Sequence, residues 1–557
     1  MSKPLKCIMI CAAAMVIIAV ALILSKQKHE SVRPTEEASA NHNERVVTVA
    51  DAEPSEHVGV AHAGPTSWYT EDVTDPIRSS GSEETVGSTA PIESTAAEDE
   101  FPAWVEWKSV ATDFADGFAV VKDRKATLYS DASCETVLWT GDEDWTFQDM
   151  VVKDLDRDGA EEIIFLLWKR GNYGRSKPFW AEEDTDRLGQ HIFIYSYELD
   201  RPSRMRAIWM SSETSFEIAS IASGMNDMLL LNTRKHGPQL WRWKDFGIKY
   251  VGDAEPSELR LLCAGDNLIH LRLLDQDRSG AALYEEIAPT IREADIAAIN
   301  LETILVEDDG AVSDYPRFGT PLGVGESLAI AGFDVINLAN NHVLDKGGYG
   351  IATTIRSMKE LGIRCFGAVQ TTGYTGSYKD SVAFVEKNGI RVAFLGFTYG
   401  TNGLECPAEY PNMVETLKDK ERMIRQIEYA RGRADVVVVY AHWGQEYETE
   451  PNAMQRALAR FFAEHQVDIV IGSHPHVLQK YEAVTDPASG HETLVYYSLG
   501  NFISGQDREG TRDGGLADIT IEKEADGTVR IREYSMQKTK TVASEDGYWV
   551  EIAEEGH

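Results

Sequence analysis

Five clusters of metal-capable side chains punctuate the second half of the sequence. Asp266 follows the run LRLLCAG, and Asn300 and Glu302 follow DIAAI. Asn341 and His342 follow FDVINLA, His442 closes DVVVVYA, and His474 and His476 follow DIVIGS. Each apolar run has the length and composition of a strand buried on both faces. In open α/β sheets the carboxyl ends of such strands form the crevice where sites are built. One such residue carries no information, because a lone histidine is usually a polar loop residue. Five clusters at equivalent positions predict one shared site. Oxygen and imidazole donors without thiolate suit Mn, Fe or Zn. A carboxylate shared by two such ions lets the pair hold both the attacking and the leaving oxygen in phosphoryl chemistry. The His474-Pro475-His476 turn puts two imidazoles on one stiff segment, each able to reach a different ion.

The elements that must position these groups follow from the same stretch. Between the apolar runs, AALYEEIAPTIREA, TTIRSMKELG, KERMIRQIEYARGR and NAMQRALARFFAEH have helical spacing. Residues 258–536 therefore read as an α/β sandwich. The acidic residues 537–557 read as a C-terminal tail. Trp443 and Phe502, close to the clusters in sequence, are either walls of the pocket or core residues.

Six segments here resemble the motifs of the CapA/PgsA capsule-synthesis proteins of the calcineurin-like metallophosphatase superfamily. They are GDNLIH (265–270), INLE (299–302), ANNHVLDKG (339–347), AHWGQEY (441–447), IGSHPHVLQ (471–479) and YSLGNF (497–502), in the family's order. The resemblance implies a metallophosphatase-like fold and a two-metal site. It implies Asp266 and His476 at the first metal, Asn341, His442 and His474 at the second, and Glu302 bridging. It further implies His342 as proton donor to a leaving oxygen, oriented by Asp345. The function implied is a membrane-tethered component of capsule or poly-γ-glutamate synthesis or export, with the polymer or its synthetase subunits as partners. Whether the site turns over a substrate is left open. Two positions depart from the superfamily pattern. Leu268 stands where the first motif normally has a second ligand, leaving His270 displaced, and Glu302 replaces the usual bridging aspartate. These departures imply a weaker first metal position.

Residues 101–252 read differently, as short Trp- and Tyr-rich strands separated by turn residues. Three stretches (ATLYSDASCETVLW, IFIYSYELDRPSRMRAIW and QLWRWKDFGIKYV) share a loose strand–aromatic–turn–strand pattern. That predicts propeller-like blades or a small sandwich, with too few blades to close a propeller. Within this region Asp154, Asp156 and Asp158 alternate before Gly159, an arrangement that suits calcium or a solvated hairpin turn. The twelfth position of an EF-hand would fall on Phe165, so that motif is excluded.

The chain has 557 residues, 54 Lys+Arg against 90 Asp+Glu and a formal net charge of −36, which argues against nucleic acid as a partner. Six scattered cysteines make neither a disulfide framework nor a zinc ribbon, and Cys263, inside an apolar run, reads as a core residue. Residues 7–25 carry no charge and are long enough to span a bilayer, after Lys3 and Lys6. This predicts a signal anchor over 1–29 with most of the chain outside the cell. Residues 30–100, rich in Ser, Thr, Glu, Ala and Pro, read as a disordered acidic tether.

Overall fold

The computed structural model describes residues 101–553 except 115–116, 174–182 and 199–204. The expected anchor and tether lie outside the described residues. Within those residues no helix is long and apolar enough to cross a membrane.

The fold of the second half follows from strands whose two faces are both apolar. In Ser257–Leu268, Leu259, Leu261 and Cys263 enter one core while Leu262 and Ala264 enter another. The Val436–His442 strand does the same, with Val436, Val438 and Tyr440 on one face and Val437, Val439 and Ala441 on the other. With period-2 alternation, two such sheets must stack and each outer face must be covered. They do. A core of residues from both sheets lies between them, and helices cover each outer face, giving four layers.

One sheet has eight strands. Arg364–Phe366, Val335–Asn337, Ile296–Leu301 and Ser257–Leu268 run parallel, and Asp513–Lys523, Val529–Ser544 and Gly547–Ile552 continue antiparallel. Asn501–Ser504 also pairs with Ser257–Leu268. The other sheet has six strands, with Ile390–Thr398, Val436–His442, Ile469–Ser473 and Glu492–Tyr496 parallel at its centre.

Three elements differ from the sequence expectation. The helix expected over 281–294 is reduced to a 3-10 turn, Ala281–Leu283, and a short α-helix, Ala288–Arg292. Pro289 is the cause, since proline has no amide hydrogen and is tolerated only in a first turn. The helix Leu322–Ala331 was not expected, because it lacks a polar face. Its glycines let it sit close to neighbours: a side chain on Gly325 would strike Met358 and Leu305. The expected tail boundary at 536 is also displaced, because the strands Val529–Ser544 and Gly547–Ile552 carry the sheet on to Ile552. Gly547–Ile552 is the sheet's edge strand and Val529–Ser544, beside it, has many exposed side chains, so the latter's composition is polar enough to resemble a tail.

Residues 101–253 form three four-stranded antiparallel sheets in simple up-and-down order. The middle sheet packs on both neighbours. In its strand Glu162–Arg170, Ile163, Phe165 and Leu167 face the first sheet, while Ile164 and Leu166 face the third. The blades dock on the sandwich through polar contacts. Arg433 donates to both Glu161 carboxylate oxygens at 2.8 Å and to the Asp113 carbonyl. The Tyr378 hydroxyl donates to Asp113 at 2.9 Å, and the Asn226 amide donates to Glu386 at 2.6 Å.

Candidate metal centre

Parallel strands from both sheets end at one place. Asp266 lies near the end of its strand and pairs in register with Asn300 on one side and Asn501 on the other. The approach is tight, since a side chain on Gly265 would collide with the Gly500 carbonyl. Asp266 Oδ1 accepts from the Asn300 side-chain amide at 2.7 Å, and Oδ2 accepts from the His474 backbone amide at 3.0 Å. Asn300 Oδ1 in turn accepts from Asn337 at 2.9 Å and Asn340 at 3.3 Å. Asn300, a strand-end donor by sequence, therefore orients Asp266.

From the second sheet, His442 ends its strand. Its Nδ1 lies 2.8 Å from Ser473 Oγ and its Nε2 lies 2.9 Å from Asn341 Oδ1. His476 Nδ1 is 3.0 Å from Asn501 Oδ1 and 3.3 Å from Asp266 Oδ2. His474 and His476 both have positive φ, at 93° and 60°. A non-glycine residue in this region costs on the order of 1–3 kcal/mol and persists only where its surroundings hold it. Two within one turn mark the His-Pro-His segment as shaped for its imidazoles.

Glu302 sits at the centre. Its Oε1 is 3.6 Å from His442 Nε2 and 3.8 Å from His476 Nε2. Donor atoms of Asp266, Glu302 and His442 all lie within 4.8 Å of one another, as do those of Glu302, His474 and His476. Glu302 is common to both groups. Asp266 lies 3.3 Å from His476, and Asn341 lies 2.9 Å from His442, so each of the two pairs that the resemblance implies includes such a contact.

The electrostatics fit divalent cations. Both carboxylate oxygens of Glu302 and His474 Nδ1 are fully buried with no hydrogen-bond partner. A buried unpaired carboxylate costs several kcal/mol, and a cation among these donors would remove that cost. Burial, then the Asp266 charge, pushes the Glu302 carboxyl well above its ordinary value. Burial, then the neighbouring imidazoles, pushes His442 well below the ordinary histidine value and His474 down to about 3. Neutral imidazoles with free lone pairs are the form in which histidine binds metal.

His342 stands beside this cluster. Its Nδ1 is 2.7 Å from Asp345 Oδ2, and that oxygen also accepts from the Phe318 amide at 2.8 Å. The Phe318 ring packs edge-on against the imidazole with centroids 4.8 Å apart. His342 and Asp345 are both buried. His270 is turned elsewhere: its Nδ1 accepts from the Gly505 amide at 3.2 Å. Leu268 is a core residue, as are Trp443 and Phe502, so neither aromatic walls the site. The Cys263 thiol is buried in the core and pushed up to about 12 by that burial.

Sequence reasoning passed over several residues here. Tyr399 packs its ring 4.6 Å from that of His474. The Glu446 charge adds to the field that raises Glu302. Ser473 and Asn501 hold the outer nitrogens of two histidines, the kind of support that fixes a ligand's tautomer. Both lie inside motifs already singled out, IGSHPHVLQ and YSLGNF, so their placement was available in the sequence.

In the blades, Asp154 and Asp156 gather with Glu162, which takes the place expected for Asp158. Asp154 already accepts from the amides of Arg157 at 2.7 Å and Gly159 at 3.1 Å. Burial and the three aspartates push Glu162 up to about 7.

Comparison with known proteins places this architecture. The family of bacterial capsule synthesis protein PGA_cap matches residues 260–506, which hold every proposed metal ligand. The capsule biosynthesis protein CapA of Bacillus anthracis is 30% identical over 292 residues, covering 50% of this chain and 67% of that protein. The PGA biosynthesis protein CapA of Bacillus subtilis (strain 168) is 30% identical over 300 residues, covering 51% of this chain and 76% of that protein. Among solved structures, a phosphatase from Mycoplasma pneumoniae aligns with a TM-score of 0.31 and 14% identity, covering 50% of this chain and 93% of that one. With two relatives at this identity, each matched over two thirds or more of its length, the chain belongs to the bacterial capsule synthesis (PGA_cap) family.

Proposed function

We propose that this protein is a membrane-anchored component of extracellular capsule or poly-γ-glutamate synthesis or export, and that its metal centre performs phosphoesterase-type hydrolysis. The family and the names of the two relatives support the first part. The second rests on one observation above others: Glu302, wholly buried with neither oxygen satisfied, lies among three imidazoles and Asp266.

Asp266, Glu302, Asn341, His442, His474 and His476 would hold one or two divalent ions of the Mn, Fe or Zn type. Such ions supply Lewis acidity and charge neutralisation at a phosphoryl group. The chain's own residues account for the rest. Asn300 and the His474 amide fix the Asp266 carboxylate, and Asn501 and Ser473 fix two imidazoles. The Asp345 carboxylate holds His342 Nδ1, which leaves Nε2 to deliver a proton to a leaving oxygen. The anchor would be residues 7–25, with the sandwich outside the cell and the polymer or its synthetase as partner.

The test is His342→Ala. Metal content should stay near wild type, while turnover of a phosphoester falls at least ~10²-fold and polymer output in cells falls with it. If the variant keeps full polymer output and the wild type hydrolyses nothing across a broad phosphoester screen, the centre is a scaffold and the hydrolytic reading is wrong.

A further inference from the structure

A cleft lies away from the metal centre, between the blades and the sandwich. It encloses about 870 Å³ and shares no residue with the metal site. Arg364 and Arg391 lie at the start of Arg364–Phe366 and Ile390–Thr398, strands of two different sheets. The metal centre is built where the parallel strands end, so the cleft lies toward their opposite ends.

Its lining is unusual for a chain of net charge −36. Lys153 and Arg157 come from the blades, and Lys359, Arg364 and Arg391 come from the sandwich. The carboxylates in the lining are already engaged. Asp154 accepts two backbone amides, Asp227 pairs with Arg157 at 2.7 Å and Arg242 at 3.1 Å, and Glu386 accepts the Asn226 amide. Among the described residues, Lys359, Arg364 and Arg391 make no ion pair. The Arg391 guanidinium lies over the Phe384 ring, 4.6 Å from its centroid. Lys153 is buried and its ammonium donates to neutral oxygens, Ser223 Oγ at 2.7 Å and the Gly224 carbonyl at 2.8 Å. The lining's five cations outnumber its three carboxylates, so the cleft keeps a net positive charge and some repulsion among its cations.

We infer that this cleft binds a multivalent oxyanion, carrying carboxylate or phosphate groups, between the two domains. Planar guanidinium groups match both kinds of oxyanion, and one ammonium group on each wall, Lys153 and Lys359, adds charge without demanding one geometry. The volume is that of a small-molecule site, and its apolar floor includes Ile355, Ile363 and Ala383. A ligand held from both walls would also tie the blades to the sandwich.

Calorimetric titration of the full-length, chelator-treated protein tests this, because chelation removes metal as a competing anion site. Inorganic tripolyphosphate and tricarballylate are titrated in separate arms. We expect saturable binding at one site that weakens with added salt. The exposed pair Lys359→Ala/Arg364→Ala should weaken it at least tenfold, and Arg391→Gln should weaken it independently. Tighter tripolyphosphate binding identifies a phosphorylated ligand, and tighter tricarballylate binding identifies a polycarboxylate. If neither anion binds saturably, or if binding is unchanged in both variants, the inference falls.

Discussion

Glu302 carries a charge that the protein alone leaves unbalanced, and that makes its replacement informative. Glu302→Gln keeps the shape and removes the charge. The Glu302 carboxyl is raised in the folded protein, by burial first and by Asp266 second. For a group shifted in this direction, stability is fully present below the unfolded value and is lost as pH rises through the folded value. Chelated wild type should therefore lose stability as pH rises above the ordinary glutamate range, and Glu302→Gln should not. At the alkaline end of that titration the chelated variant should melt at least ~4 °C above chelated wild type. Manganese should reverse the order, because only the wild type gains a bridging carboxylate. Thermal melting with and without metal checks this, and a variant less stable than wild type in chelator refutes it. At this scale the sequence was readable where a ligand type coincided with a strand end, as at Asp266, Glu302, His442 and His474. It was not readable at Asn300, Asn337 and Asn340, because asparagine at a strand end looks the same whether it binds a cation or orients a neighbour. Only the hydrogen bonds separate the two roles.

The helix Ala453–Glu464 shows how one element is joined to the site. Asn452 caps it: its side chain accepts from the Gln455 amide, and Gln455 Oε1 accepts from the Asn452 amide, both at 3.0 Å. The Gln455 side-chain Nε2 donates to Gln479 Oε1 at 2.8 Å, in the segment that follows His474 and His476. Asn452→Ala should cost about 1 kcal/mol in urea denaturation, the usual price of a lost cap. Gln455→Ala should cost more, because it leaves the buried Gln479 side chain short of a partner. Equal melting of both variants with wild type would show that the cap contributes nothing. The long apolar strands were visible in the sequence. What escaped was Leu322–Ala331, where Glu326 alone among apolar and small residues makes no polar face, and the last two strands up to Ile552, whose sequence reads as a tail. Periodicity reports an element only when one face is wet and the other dry.

The described residues join three blades and a sandwich, and the anchor with its tether is the proposed reading of residues 1–100. If residues 7–25 hold the chain in the membrane with its bulk outside, protease added to intact cells should release a soluble fragment by cutting within 30–100. Full protection in cells proven intact would reverse the orientation. The blades were legible as repeated strand pairs, but their seat on the sandwich was not, since it depends on residues hundreds of positions apart. Arg433 is the central case. Its side chain is 3% exposed, while that of its partner Glu161 is 28% exposed. Removing the carboxylate strands a guanidinium in the interface, a loss of about 3 kcal/mol for a buried pair. Arg433→Met removes the charge as well as the pair and should cost less, because an apolar side chain can fill the same space. Glu161→Ala should then melt in two steps, with the blades separating first and becoming protease-sensitive, whereas Arg433→Met should stay closer to wild type. A single transition at the wild-type temperature for Glu161→Ala would show that the remaining contacts, among them Tyr378 with Asp113 and Asn226 with Glu386, hold the domains together without it.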